Sequence, residues 1–346
     1  MAARYALERS RLFNTHYLGV IEWSDELGRI VARFPGNKRF AFTICDDTDE
    51  GTVENLVGVY RLLADLGFRT TKSVWPLATE PMGYISGESL QDKAYLRFIH
   101  WLQQEGFEIS LHNVRNHHAT RDIIIPALEE FSNLIGHHPR IHCNHSRNRE
   151  NIYWGDRRFS LSRIRLGYNL ATRYRWHNYF YGDVPDSDYF WGDICQQHIS
   201  YVRNLVFQEI NLEKINPTLP YHDPNKPYVN YWFSSCDGRD VERFCRMLGD
   251  ARQDQLEAEG GVCIMYTHFS NGFYDNGLLH PEFVRVMTRL SRLNGWFVPV
   301  SSLLDHICQN KTGSRDISDK ELAAMERYWF LSKLKPSETF RAASFF

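Results

Sequence analysis

Apolar positions along the chain switch between two spacings. Short, nearly continuous runs at RFAFTIC (39–45), FRTTKSVW (68–75), FEISLH (107–112), PRIHC (139–143) and GVCIMYTH (261–268) have the length and composition of strands buried on both faces. Between them lie segments with a helical repeat. Residues 52–67 carry Val53, Leu56, Val57, Tyr60, Leu63 and Ala64 on one face and close at Gly67; 89–106 closes at Gly106; 120–136 reads as a helix with Pro126 near its start or at a kink. Further on, GYNLATRYRW (167–176) and YVRNLVF (201–207) read as strands, 239–260 as one helix, and 281–295 as a helix before WFVPVS. About seven strands alternating with helices predict an α/β fold, a distorted (β/α) barrel of parallel strands.

The same pattern divides the chain into an N-terminal extension packed on the barrel (1–35), the barrel (36–310), and a C-terminal helix and tail (311–346). KTGSRD (311–316) is linker-like, and Ser318 with Glu321 forms a capping box for a last helix through Lys333. The Tyr-, Pro-, Asp- and Asn-rich segment 177–230 is too long for a plain connection and reads as elaborated loops near a site.

Composition narrows the classes. With 40 basic against 42 acidic residues there is no basic field, which excludes nucleic-acid binding by phosphate neutralisation. Charges at Arg4, Glu8, Arg9 and Arg11 break any secretory apolar run, and nowhere is there the stretch of about 20 apolar residues that a transmembrane helix needs. Seven cysteines without a CxxC pair argue for reduced thiols and a cytoplasmic setting. Seven of the 15 histidines (112, 117, 118, 137, 138, 142 and 145) crowd into 34 residues, so that region needs a chemical cause.

Function in such folds gathers at the C-terminal ends of the strands. Four predicted strands end there in candidate chemistry: Asp46-Asp47-Thr48-Asp49 after the first, His112 followed by NVRNHH after the third, Asn144-His145-Ser146-Arg147 after the fourth, and His268 after the last. The runs FAFTICDDTD, Gly106-Phe-Glu-Ile-Ser-Leu-His112, GHHPRIHCNHS and MYTHF come in the order of, and resemble, the motifs of the polysaccharide deacetylases, metal-dependent carbohydrate esterases. The resemblance covers about 38–310. It implies Asp46 as general base, Asp47 and His112 as ligands of a divalent metal, most naturally Zn²⁺, and His268 as general acid.

Three departures from the family pattern stand out. The family's second ligand histidine comes four residues after the first, where this chain has Asn116; His117 and His118 follow, and His117 is the favoured third ligand. Thr48 replaces the first motif's glycine, and Asp49 beyond it reads best as a helix N-cap. Cys143-Asn144-His145-Ser146-Arg147 replaces the third motif, leaving Asn144 or His145 to meet substrate or metal and Arg147 to orient the base. Trp191 in DSDYFWGD matches a buttressing tryptophan, with His118 as a further pocket residue. The expected activity is removal of an N-acyl group from an amino sugar or glycan in surface-polysaccharide assembly. The competing readings are an impaired, glycan-binding relative and an O-ester or non-sugar amide hydrolase.

Overall fold

The computed structural model describes residues 33–334, so the expected extension over 1–35 lies almost wholly outside the described residues, as does the tail after 334. Strand β1 (Phe40–Asp46) is buried along its whole length and forms the seam of the fold. One edge pairs with β7 (Val262–Thr267) from Ala41↔Val262 to Asp46↔Thr267. The other edge is shared, with β8 (Gly295–Trp296) at its start and β2 (Thr71–Val74) at its end. Beyond β2 follow β3 (Glu108–Leu111), β4 (Ile141–His142), β5 (Tyr201–Phe207) and β6 (Tyr231–Asp237), which returns to β7. Every pairing in this sheet is parallel, and the β1–β7 contact closes the ring. The fold is α/β, as the spacing predicts.

Helices cover the outside of the ring. α1 (Val53–Asp65) turns Leu56, Val59, Tyr60 and Leu63 inward and is started by a capping box between Thr52 and Asn55. Asp49 is therefore not its cap. α2 (Lys93–Gln104) and α3 (Arg121–Ile135) follow, and α3 ends at Gly136, whose φ of 92° suits the left-handed close that glycine alone adopts without cost. The last helix, Asp319–Leu334, starts at the expected Ser318–Glu321 box, with Glu321 N donating to Ser318 Oγ (3.3 Å) and Ser318 N to Glu321 Oε2 (3.2 Å).

Three elements differ from the pattern reading. The stretch 167–176 is no strand: Ser162–Ala171 is a helix that runs on into turns. Its Tyr168, Leu170, Thr172, Tyr174 and Trp176 alternate like a strand, yet burial follows Ile164 and Tyr168, four apart, while Leu166 and Leu170 face solvent. The strand missing from the sequence reading is β6, whose YWFSSCD hides its period behind two serines that are themselves buried. Residues 239–260 form two helices, Val241–Met247 and Asp250–Glu259, because the chain turns at Gly249.

Candidate functional site

Alternation along β1 and its continuation decides which acids reach the barrel mouth. Cys45 and Asp47 face one side and Asp46 the other, and the turn closed by Gly51 N donating to Thr48 O at 2.8 Å brings Asp49 to the pocket beside Asp47. Asp46 is fully buried away from the mouth: its Oδ2 meets Lys72 Nζ at 2.8 Å and accepts from Tyr60 OH at 2.9 Å, and its Oδ1 accepts from Phe269 N at 2.8 Å. Burial works against the charge of Lys72, but Asp46, with Tyr95 and Asp47 adding to it, raises its pKa above the ordinary lysine value. The structure thus does not bring Asp46, the expected base, to the pocket.

Asp47 does line it, but as half of an ion pair. Arg203 of β5 grips both carboxylate oxygens, Nη1 donating to Oδ1 at 2.8 Å, and lies over the Tyr266 ring. Burial opposes the charge on Asp47, yet Arg203 and then His112 hold its pKa below the ordinary carboxylate value.

The acid that faces the histidines is Asp49. Its Oδ1 lies 3.1 Å from His112 Nε2 and 3.5 Å from His145 Nε2, and its Oδ2 lies 3.3 Å from His268 Nε2. Asp49, His112 and His145 offer three ligand atoms within 4.8 Å of one another. Both rings are locked from behind: His112 Nδ1–H donates to Cys143 O (2.9 Å) and His145 Nδ1–H to Asn148 Oδ1 (2.8 Å). In the neutral tautomer this leaves two Nε2 lone pairs aimed at one carboxylate oxygen, an arrangement that repels unless a cation lies between them. His145 fits that neutral state, since burial lowers its pKa, and its Nε2 is buried with no hydrogen-bond partner among the described residues. One carboxylate and two backed imidazoles are a donor set for a divalent metal.

His268 is built differently. Its Nδ1 donates to Arg239 O at 3.1 Å while Nε2 faces Asp49, so both ring nitrogens have acceptors. Burial works against the charge, but the Asp49 hydrogen bond and the Asp49 and Asp47 charges lift its pKa to about 9. With an acceptor at each nitrogen, the ring is placed to hold and release a proton.

A buried amide network positions the loop behind His145. Asn113, in the left-handed region at φ 53°, accepts from His145 N (2.7 Å) and donates to Asn151 Oδ1 (2.9 Å) and Glu150 Oε1 (3.1 Å). Asn148 also donates to Glu150 Oε1, at 2.7 Å. Burial pushes Glu150 up to about 7 despite these donors. Trp75 stacks on His112 and meets His145 edge-on.

The other expected residues lie elsewhere. Asn116 is spent on the backbone, accepting from Glu80 N at 2.7 Å and donating to Ile85 O at 2.6 Å. His117 and His118 stack on each other, partly exposed, and are not among the clustered ligand atoms; burial brings His118 down to about 4. Arg147 lies over Tyr84 rather than on an acid of the site. Trp191 is buried against His142 and donates to Glu150 O at 2.6 Å, buttressing the loop rather than the pocket. Asn144 lines the pocket, its side chain exchanging hydrogen bonds with the Ile152 backbone.

The pocket itself, about 90 Å³, is lined by Asp47, Asp49, His112 and His268 together with Trp154, Tyr266, Trp329 and several cations. A larger groove of about 580 Å³ beside Arg157 and Lys226 holds none of the clustered histidines. A second ligand group, Cys45, Asp47 and Cys143, is the weaker one: Arg203 already occupies Asp47, and burial raises the Cys143 thiol well above its usual value. Sequence reasoning missed Arg203, although an arginine inside YVRNLVF is a signal, because a charge in a buried strand must have a partner.

In chain course the protein is similar to a Mycobacterium smegmatis protein described as a polysaccharide deacetylase (12% identity, 84% of this chain and 97% of that one, TM-score 0.49). It is similar too to PuuE allantoinase (13%, 86% and 99%, 0.47) and to a Pseudomonas aeruginosa PAO1 protein described as a polysaccharide deacetylase (12%, 85% and 99%, 0.47). The likeness is one of fold. No family model and no curated protein matches the sequence.

Proposed function

We propose that the protein is a metal-dependent hydrolase that removes an N-acyl group, acetyl or formyl, from an amino sugar. The observation that carries this reading is the convergence of Asp49, His112 and His145, with the buried Nε2 of His145 unpartnered among the described residues. These three residues would hold the cation, zinc being a good match to them, and a cation there polarises an acyl carbonyl and makes water a better nucleophile at neutral pH. Asp47, ionised and oriented by Arg203, accepts the proton of the attacking water. His268 returns a proton to the departing amine. The roles first read onto Asp46 and Asp47 thus move to Asp47 and Asp49, the pair that lines the pocket.

Trp154, Tyr266 and Trp329 give the pocket an aromatic wall, with Arg158 lying over Trp154 and Arg203 over Tyr266. Among the described residues no helix is long and apolar enough to cross a membrane. All seven cysteines are free, and two pairs sit with sulfurs 3.4 and 3.5 Å apart, in keeping with a reducing cytoplasm and a substrate made there, such as a precursor of surface polysaccharide.

Acetate release from N-acetyl and O-acetyl amino sugars, with zinc and with excess chelator, tests the reading. Chelator-sensitive release from the N-acetyl sugar is expected, and Asp47→Asn should bind zinc yet not turn over. Zinc-loaded protein that cleaves the ester alone would replace the amide with an O-ester hydrolase. The closed Asp47–Arg203 pair favours a second reading, a glycan-binding protein on the same scaffold, which predicts zinc binding with no release from either sugar.

A further inference from the structure

The wall of the pocket carries more positive charge than its acids account for. Four cations line it, Arg158, Arg203, Arg239 and Lys333, with three acids, Asp47, Asp49 and Asp237. Arg203 is spent on Asp47. Asp237 is held by Arg239 at 3.2 Å and again by Arg243 at 2.9 Å. Asp49 faces the histidines. Arg158 and Lys333 are left without an ion-pair partner among the described residues.

Arg158 is the more telling of the two. It ends the short 3-10 turn Gly155–Arg158, is 4% exposed, and lies flat over Trp154, 3.6 Å from the ring centroid, with Trp329 beyond. Its Nε is buried with no hydrogen-bond partner among the described residues. The groups that act on it most strongly are Tyr168, Arg203 and Tyr221; no carboxylate is among them, and burial brings it down to about 10. A buried guanidinium without an anion is costly, and it persists where a ligand supplies the missing charge. Lys333, at the end of the last helix, stands over Trp329 on the same wall, and burial together with Arg239 and Arg158 brings it down to about 8 even with Asp237 near.

We infer that Arg158 and Lys333 form a subsite for an anionic group on the substrate, a carboxylate or a phosphate, in the pocket that Asp49 and His112 also line. The planar fork of Arg158, fixed by Trp154, suits two oxygens of either group, and Lys333 adds a point charge. This deepens the proposed function and rests on it for the sugar: the substrate is an acidic or phosphorylated N-acyl amino sugar.

Calorimetric titration of the full-length protein with D-glucuronate, glucose 1-phosphate and D-glucose tests the subsite. At least one anionic sugar should bind about tenfold or more tightly than glucose, and which one names the group. Arg158→Met, which keeps the stacking on Trp154, should abolish that preference, Arg158→Lys should restore part of it, and Lys333→Gln should weaken it about threefold or more. Equal binding of all three sugars by the unaltered protein overturns the inference, and so does a preference that survives both Arg158→Met and Lys333→Gln. An Asp49→Ala chain separates the two readings. Anion preference kept in that chain supports the subsite whatever zinc titration shows of the metal, whereas preference lost there and kept in Arg158→Met assigns the anion to the metal and ends the proposal.

Discussion

Asp46 and Asp49 leave the end of β1 on opposite sides and meet opposite company. Asp46 has a lysine, a tyrosine hydroxyl and a backbone amide, each donating, so charge and hydrogen bonds close on themselves. Asp49 has His268 on its Oδ2, but its Oδ1 faces two imidazoles whose donor nitrogens are turned away, and one of the facing nitrogens has no hydrogen-bond partner among the described residues. A closed cluster holds the fold; an open one waits for something the chain does not supply. The contrast gives a criterion for separating a structural buried acid from a ligand: which atoms remain unsatisfied once every neighbour has been counted.

The largest expected effect breaks the two clusters in opposite ways. Asp49→Ala should weaken zinc binding by about 100-fold or more, read by competition with a chromogenic chelator, while urea unfolding of the metal-free protein shifts little. Asp46→Asn should do the reverse, leaving zinc affinity within about twofold but costing about 3–5 kcal/mol, because Lys72 is stranded in the interior. An Asp46 variant that loses zinc and keeps its stability would invert the assignment.

A smaller effect tests the histidines. His145 is oriented by Asn148 toward Asp49, whereas His117 and His118 pack on each other and His118 turns its ring to Tyr179, Tyr189 and the Arg149 amide. Asn148→Ala should therefore cost about 10- to 100-fold in zinc affinity although Asn148 is no ligand itself. His117→Ala and His118→Ala should leave zinc affinity unchanged in the same competition assay, and a large loss from either would restore the reading in which the histidine pair supplies the third ligand.

What the sequence disclosed follows from which patterns are local. The strand and helix periods of residues 39–136 needed nothing distant, and they reappear nearly residue for residue in β1, α1, β2, α2, β3 and α3. The ends of four strands were legible as a chemical rim, and His112 and His268 reach the pocket. The register of the acids was not, because a family motif with adjacent aspartates hides the rule that neighbours on an extended chain part company. Asp49 reaches the side of Asp47 through the turn over 48–51, which strand alternation does not describe. His145 reads in the sequence as a contact for substrate or for metal without a choice between them, since its placement depends on Asn113 and Asn148 folding the 144–151 loop under Trp75. Arg203 and Arg158 were invisible for the same reason: their meaning lies in partners, present or missing, from distant segments.

Glu150 makes a third case between the closed and the open cluster, and it carries the smallest effect. It accepts hydrogen bonds from Asn113, Asn148 and the Ala119 amide, but no cation is paired with it. Burial therefore wins, and its pKa rises to about 7 against 4.5 for the free side chain. Below pH 4.5 the carboxyl is protonated in folded and unfolded chains alike and its contribution to stability is complete. Between pH 4.5 and 7 only the unfolded chain ionises, so stability falls with rising pH, by up to about 3 kcal/mol in all, and then levels off. Glu150→Gln cannot ionise and should remove that slope. The difference between the two urea-unfolding curves, taken from pH 4.5 to 8 in chelator so that zinc does not enter, isolates the group from others that titrate. A difference that is flat across the window would mean that the amide donors alone keep Glu150 charged, and the 144–151 loop would then belong with the closed cluster of Asp46.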